Sequence, residues 1–273
     1  MFHKILLLIL ASAISLISAN ASSPEYYDLM GNADKEIKDG NWTAAEDFLR
    51  QALRLEPSNP SNVLLMSNLG MVQFYNGREL DALSTLNAAH AMAPASVTVL
   101  LNRAKVYASI GYPDKAADDY NTVVRLDSTL IEPHFYLAII ALDDGNPAIC
   151  SQQVDTLTAM APDHRLTHVA SAMLLMHNGQ YSEAIPHWST VLRDDADPAY
   201  YSSRALCYLI TDQIAAAADD ISTGLTLDPT DGELYLYRAL LNKMRFRPDD
   251  AEADGELAVK WGISPDRVKA LLK

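Results

Sequence analysis

Val63 to Ser96 reads VLLMSNLGMVQFYNGRELDALSTLNAAHAMAPAS. Asn76-Gly77 at its centre is a turn signal, because the residue just past a helix often takes a left-handed conformation that glycine adopts without penalty. Gly70 lies seven residues before Gly77, and Ala82 lies five after it. Small side chains on both sides of a turn let two antiparallel helices approach closely. Leu69, Leu86 and Ala89 surround them at helical spacing, and Pro94 punctuates the end.

The same pattern recurs in both directions. Gly40, Gly77, Gly111, Gly145 and Gly179 step by 37, 34, 34 and 34 residues, and Asp212 and Phe246 continue the row at steps of 33 and 34. Seven residues before each stands Ala33, Gly70, Ala104, Ala138, Ala172, Ala205 or Ala239. Five residues after each stands Ala45, Ala82, Ala116, Cys150, Ala184, Ala217 or Ala251. In the third unit, Leu100, Tyr107, Tyr120, Val123 and Leu126 read as one apolar face. A second punctuation, such as Leu55-Glu56-Pro57 or Leu227-Asp228-Pro229, closes most units.

On these residues the chain resembles the tetratricopeptide repeat family, and specifically its secreted bacterial members. The resemblance implies an all-α helix–turn–helix solenoid, a right-handed superhelix of about seven repeats plus a short C-terminal helix. The repeats read as 26–59, 63–96, 97–130, 131–164, 165–197, 198–231 and 232–265, together 26–265, followed by a capping helix over 264–273. Ser264-Pro265 opens that helix as a cap with proline in the first turn. Three departures stand out. The fifth unit is one residue short and ends in the run Arg193 to Asp197; the seventh turns at Phe246; and Gly255 stands where a large apolar residue is usual, which predicts a loose second helix there.

Composition narrows the function. The 273 residues carry 21 Lys and Arg against 35 Asp and Glu, a formal charge of -14. Nucleic-acid affinity depends on cations that release phosphate counterions, so a general DNA or RNA binder is excluded, as is a reader of anionic lipid surfaces. Residues 1–21 have the layout of a signal peptide: Lys4, an apolar run from Ile5 to Ile17, then Ala19-Asn20-Ala21. The run is shorter than the ~20 residues a spanning helix needs. Cleavage near Ala21 predicts an exported chain, periplasmic or secreted, that begins with a short linker over 22–25 and has no membrane span.

The resemblance also implies a binding groove lined by the first helix of each unit. Mapped here, it offers Leu101, Lys105, Phe135, Ile139, Leu142, Val169, Met173, Met176, Leu206 and Leu209, with Leu236 and Leu240 continuing it. The stripe is mostly apolar. Only Lys105 and Asn102 resemble a carboxylate clamp, so a clamp is not expected. A Met-containing apolar groove suits an amphipathic segment of a protein or peptide partner. The alternatives are a carrier of an apolar small molecule or lipid, or a subunit that self-assembles through the irregular seventh unit. The acidic pairs Asp118-Asp119, Asp143-Asp144 and Asp219-Asp220, and the segment 249–256, read as a solvated outer face.

No catalytic motif appears, and no cofactor or metal is expected. His164 and His168 are four residues apart but have no third ligand at matching spacing. The chain therefore reads as a non-enzymatic scaffold. Cys150 and Cys207 fall on helices several layers apart, too far for a disulfide, which predicts two buried thiols.

Overall fold

A computed structural model describes residues 22–273; the signal peptide expected over 1–21 lies outside the described residues. Fifteen helices follow one another, and no strand occurs among the described residues. They are α1 (Pro24–Lys38), α2 (Trp42–Leu55), α3 (Asn62–Tyr75), α4 (Glu79–Met92), α5 (Val97–Ser109), α6 (Pro113–Leu126) and α7 (Ile131–Asp143). Then come α8 (Pro147–Met160), α9 (Arg165–His177), α10 (Tyr181–Asp194), α11 (Pro198–Ile210), α12 (Ile214–Leu227), α13 (Gly232–Met244), α14 (Pro248–Lys260) and α15 (Pro265–Leu272). The fold is an all-α, tetratricopeptide-type array of helix hairpins. The chain divides into two compact units, one ending at Ile140 and the other beginning at Ala141.

The hairpins share one turn geometry. Gly40, Gly77, Gly111, Gly145 and Gly179 have φ between +69° and +83°, and Asp212 and Phe246 have φ of +58° and +57°. At each turn the next residue's N–H reaches back five residues to a helix carbonyl. Arg78 donates to Gln73 at 2.9 Å, Gln213 to Tyr208 at 2.8 Å and Arg247 to Asn242 at 2.9 Å. This bond satisfies a carbonyl orphaned by the helix end. Asp212 and Phe246 therefore make the glycine turn without glycine. The helix after each turn starts at once, and Pro113, Pro147 and Pro248 pre-set its first residues.

Both columns of small residues are buried. In the first, Ala33, Gly70, Ala104, Ala138, Ala172, Ala205 and Ala239 face inward; in the second, Ala45, Ala82, Ala116, Cys150, Ala184, Ala217 and Ala251 do. The closeness is visible at Gly70, where an added Cβ would lie 2.6 Å from Cγ of the fully buried Leu86. Of the face read in the third unit, Leu100, Tyr120 and Val123 are buried and Tyr107 is partly so, whereas Leu126 is exposed.

In the unit ending at Ile140, the core gathers Tyr26, Ile37, Leu49, Leu65 and Val72. Ser23 caps α1, and Glu56 accepts from the Ser23 N–H at 2.6 Å and the Ser23 hydroxyl at 2.7 Å, tying the start of α1 to the end of α2. In the other unit, Leu209, Ile221, Leu234, Tyr237 and Leu241 form the corresponding core.

Two irregularities of the sequence have structural uses. In the run from Arg193 to Asp197, Asp197 caps α11 by accepting from the Ala199 N–H at 2.8 Å, and Asp195 pairs with Arg165 at 2.5 Å. Gly255 does not loosen α14, which is helical from Pro248 to Lys260 with Gly255 buried. A Cβ there would meet Val268 at 3.0 Å and Leu272 at 3.2 Å, so the missing side chain lets α15 lie directly on α14. Arg267 of α15 also pairs with Glu233 of α13.

Candidate functional site

The first helices of the hairpins carry the expected binding stripe, but the structure divides it. Lys105, Phe135, Ile139, Leu142, Val169 and Leu209 are buried, with Phe135 at 1% exposure and Val169 at 0%. Leu101, Met173, Met176 and Leu206 remain partly open. Leu236 is buried, whereas Leu240 is partly open. The open apolar side chains are thus fewer than the sequence implies.

The polar members are engaged within the fold. Lys105 Nζ lies 2.6 Å from Glu132 of α7, and its side chain is 4% exposed. Asn102 is buried and donates to Ser67 Oγ at 2.9 Å. Both therefore serve neighbouring helices, and they form no cationic cradle for a carboxylate. Met176 is held too, since Trp188 Nε1 of α10 donates to its sulfur at 3.1 Å.

The clearest surviving feature is one register position on the first helices of the second unit. Met173 of α9, Leu206 of α11 and Leu240 of α13 occur at steps of 33 and 34 residues, and each is partly open. One partly open apolar side chain per hairpin thus recurs at this position, and Leu206 and Leu240 also pack against the core around Leu209, Ile221 and Tyr237.

A charged device within the hairpins went unread in the sequence. Arg103 pairs with Asp119, Arg204 with Asp220 and Arg238 with Asp254, always sixteen residues apart and always through two parallel N–H···O bonds. Each pair clamps the first helix of a hairpin to the second, and the fork geometry suits arginine rather than lysine. The hydrogen bonds they donate to Asp220 and Asp254 push the Arg204 and Arg238 guanidinium groups above their ordinary range. The guanidinium groups also sit near Tyr107, Tyr208 and Tyr235, at 5.7, 5.6 and 4.9 Å from the ring centres. The acidic face therefore has two kinds of member. Asp118 and Asp219 are exposed, whereas Asp119, Asp220 and Asp254 are buried clamp residues. The detectable signal was the Arg and Asp recurring at one spacing in three hairpins.

His164 caps α9 through its ring nitrogen, which accepts from the Leu166 N–H at 3.2 Å. His168 instead meets His187 of α10, with their Nδ1 atoms 3.0 Å apart. Burial, then the charge of His168, holds His187 below its ordinary value. No group of three or more metal-ligating side chains occurs among the described residues. Cys150 and Cys207 are buried free thiols; burial pushes them up to about 11 and about 12, which suppresses the reactive thiolate. No helix of the described residues is long and apolar enough to cross a membrane.

Comparison with known proteins agrees with this architecture. A tetratricopeptide repeat family model matches residues 67–131 and 169–232. A DnaJ homolog subfamily C member 3 from Gallus gallus is 23% identical over 273 aligned residues, covering 87% of this chain and 54% of its own length. This chain thus spans about half of that relative. The mitochondrial import receptor subunit TOM34 of Pongo abelii is 22% identical, covering 74% of this chain and 80% of its own. A tetratricopeptide repeat protein from Parabacteroides merdae superposes with a TM-score of 0.72 at 25% identity, covering 92% of this chain and 98% of that one. Residues 67–131 and 169–232 thus match the tetratricopeptide repeat model, and the hairpins on either side of them have the same helix–turn–helix form.

Proposed function

We propose that the chain is an exported, non-catalytic adaptor that holds an apolar, helix-forming segment of a partner protein. The observation that carries this reading is the row of Met173, Leu206 and Leu240, one partly open apolar side chain per hairpin on successive first helices. Side chains repeated at a fixed structural interval suit an extended or helical ligand that meets each in turn. Met173 adds adaptability, because its unbranched thioether fits varied partner surfaces. The relatives include proteins named as a DnaJ homolog and as an import receptor subunit, and both names are compatible with work on other polypeptides.

Export rests on residues 1–21, whose apolar run and Ala19-Asn20-Ala21 suit removal by a signal peptidase.

The test is comparative co-purification from native envelopes. The bait is the wild-type chain beside Met173→Glu, each first shown to have the same helical content. Phe135 is unsuitable as a probe, because a charge at a side chain 1% exposed would damage the core. The expected result is a partner protein retained by the wild type and lost from the variant. Equal retention by both would remove the first-helix row from the interface.

A further inference from the structure

Ser22 and Ser23 are fastened more firmly than a linker requires, since short segments outside helices fray unless something ties them down. Glu56, at the end of α2, accepts from the Ser23 N–H at 2.6 Å and from the Ser23 hydroxyl at 2.7 Å. The Asn59 amide donates to Ser22 Oγ at 2.6 Å and to the other Glu56 oxygen at 2.7 Å. Pro24 restricts Ser23 to the extended backbone it adopts, with φ −60° and ψ 149°, and pre-sets the first turn of α1. The tie continues inward. The Glu56 carbonyl accepts from the Asn62 amide of α3 at 2.7 Å, and Asn62 Oδ1 accepts from the hydroxyl of the fully buried Tyr26 at 2.9 Å.

The charge at this spot is one-sided. Hydrogen bonds, first the one from the Ser23 N–H, hold the Glu56 carboxyl below its ordinary value, so it is ionised at neutral pH. No cation pairs with it among the described residues. Arg54 in the last turn of α2 and Glu25 in the first turn of α1 are both exposed and in no ion pair there, and the first turn of α3 brings no charge. The other titratable groups nearby are the phenols of Tyr26 and Tyr27. The antiparallel hairpin sets the positive start of α1 beside the negative end of α2, so the two helix ends offset and the carboxylate decides the sign.

Ala19-Asn20-Ala21 puts the expected cleavage at the bond just before Ser22. Hydrolysis there adds one water across the broken C–N bond and leaves a carboxylate on Ala21 and an ammonium on Ser22. The Ser22 nitrogen is one residue from the Ser23 N–H, so backbone dimensions place it within about 6 Å of the Glu56 carboxylate. We propose that Ser22 is the first residue of the mature chain and that its new ammonium docks on Glu56 as an ion pair, so that removal of the leader completes the first hairpin. This inference rests on the export reading above. Before cleavage the same nitrogen is a neutral amide, and Glu56 has no cation there; after it, the seat that Ser23 and Asn59 hold in place carries both charges.

N-terminal sequencing of the exported protein comes first. A start at Ser22 is expected; an uncleaved chain, or a start elsewhere, overturns the export reading and this proposal together. The second measurement is an NMR titration of the Ser22 ammonium in the mature chain, beside Glu56→Gln, which keeps an oxygen to accept from Ser23. An α-amino group ordinarily titrates at about 7.7–8.0. The wild type should hold that proton at least about threefold more tightly, and Glu56→Gln should return it to the ordinary range. A folded value raised in this way gives stability that is full below the ordinary value and is lost as the pH rises through the raised one. Acetylating the Ser22 amine should therefore lower the melting temperature at pH about 7 and leave it unchanged at pH about 10. An ordinary value in the wild type, or the same raised value in Glu56→Gln, would overturn the docking and leave the cleavage standing.

Discussion

The hairpins α5–α6 and α13–α14 are built alike except at the turn. Both bury an alanine on each helix, Ala104 with Ala116 and Ala239 with Ala251, and both lock the helices with an Arg–Asp clamp. One turns on Gly111 at φ +83° and the other on Phe246 at φ +57°, yet both close the same five-residue-back hydrogen bond. Helix approach and the clamp thus specify the hairpin, and the turn residue only sets its conformational cost. A third hairpin extends the lesson. In α9–α10, Ser171 and His187 occupy the register positions of Arg103 and Asp119, so the two helices pair there without a clamp.

The most damaging change should be the same in both hairpins. Ala104→Leu and Ala239→Leu each force a branched side chain between packed helices and are expected to cost about 3 kcal/mol in chemical denaturation. A much smaller loss for Ala239→Leu would mean that the last hairpin is not packed like the third. Removing the clamp acid should come next and should separate the two. In the Arg103–Asp119 pair the side chains are 12% and 8% exposed, so Asp119→Ala leaves a largely buried guanidinium and should cost about 3 kcal/mol. Arg238 is 38% exposed and can rehydrate, so Asp254→Ala should cost about 2 kcal/mol or less.

Exchanging the turn residues gives a smaller effect of opposite sign in the two places. Gly111→Phe should destabilise by about 1 kcal/mol, and Phe246→Gly should stabilise by a similar amount. Both are read from shifts in the unfolding midpoint. The smallest effect belongs to the hairpin without a clamp. The folded pKa of His187 lies below its ordinary value of 6.5, so its stabilising contribution is present above that pH and is lost as the pH falls through the lowered value. Melting temperature should therefore decline between pH about 7 and about 5, and His187→Gln should flatten that decline.

The fold was legible because spacing alone exposes it. Two columns of small residues and a row of turn residues survive even where Asp212 and Phe246 replace glycine, since the step between them is preserved. The cap at Ser264-Pro265 was readable for the same local reason, and Ser264 does accept from the Arg267 N–H. The binding stripe was less legible, because exposure on a first helix depends on what the next helix places against it. Glu132 draws Lys105 inward, Ser67 takes the Asn102 amide, and Trp188 reaches the Met176 sulfur. Those partners lie 12 to 35 residues away and leave no mark in the local pattern. The clamps were missed because Asp119, Asp220 and Asp254 were read with their acidic neighbours and not with arginines sixteen residues earlier. Gly255 misled for a related reason: its small size serves α15, outside its own repeat.

Site-specific photocrosslinking in intact cells tests the central claim, that the first-helix row holds a partner protein. A photoreactive residue at Met173 would be compared with one at the exposed Asp219 on a second helix. The account predicts a discrete protein adduct from position 173 and none at that mass from position 219. No protein adduct from 173, or the same adduct from both positions, would contradict it.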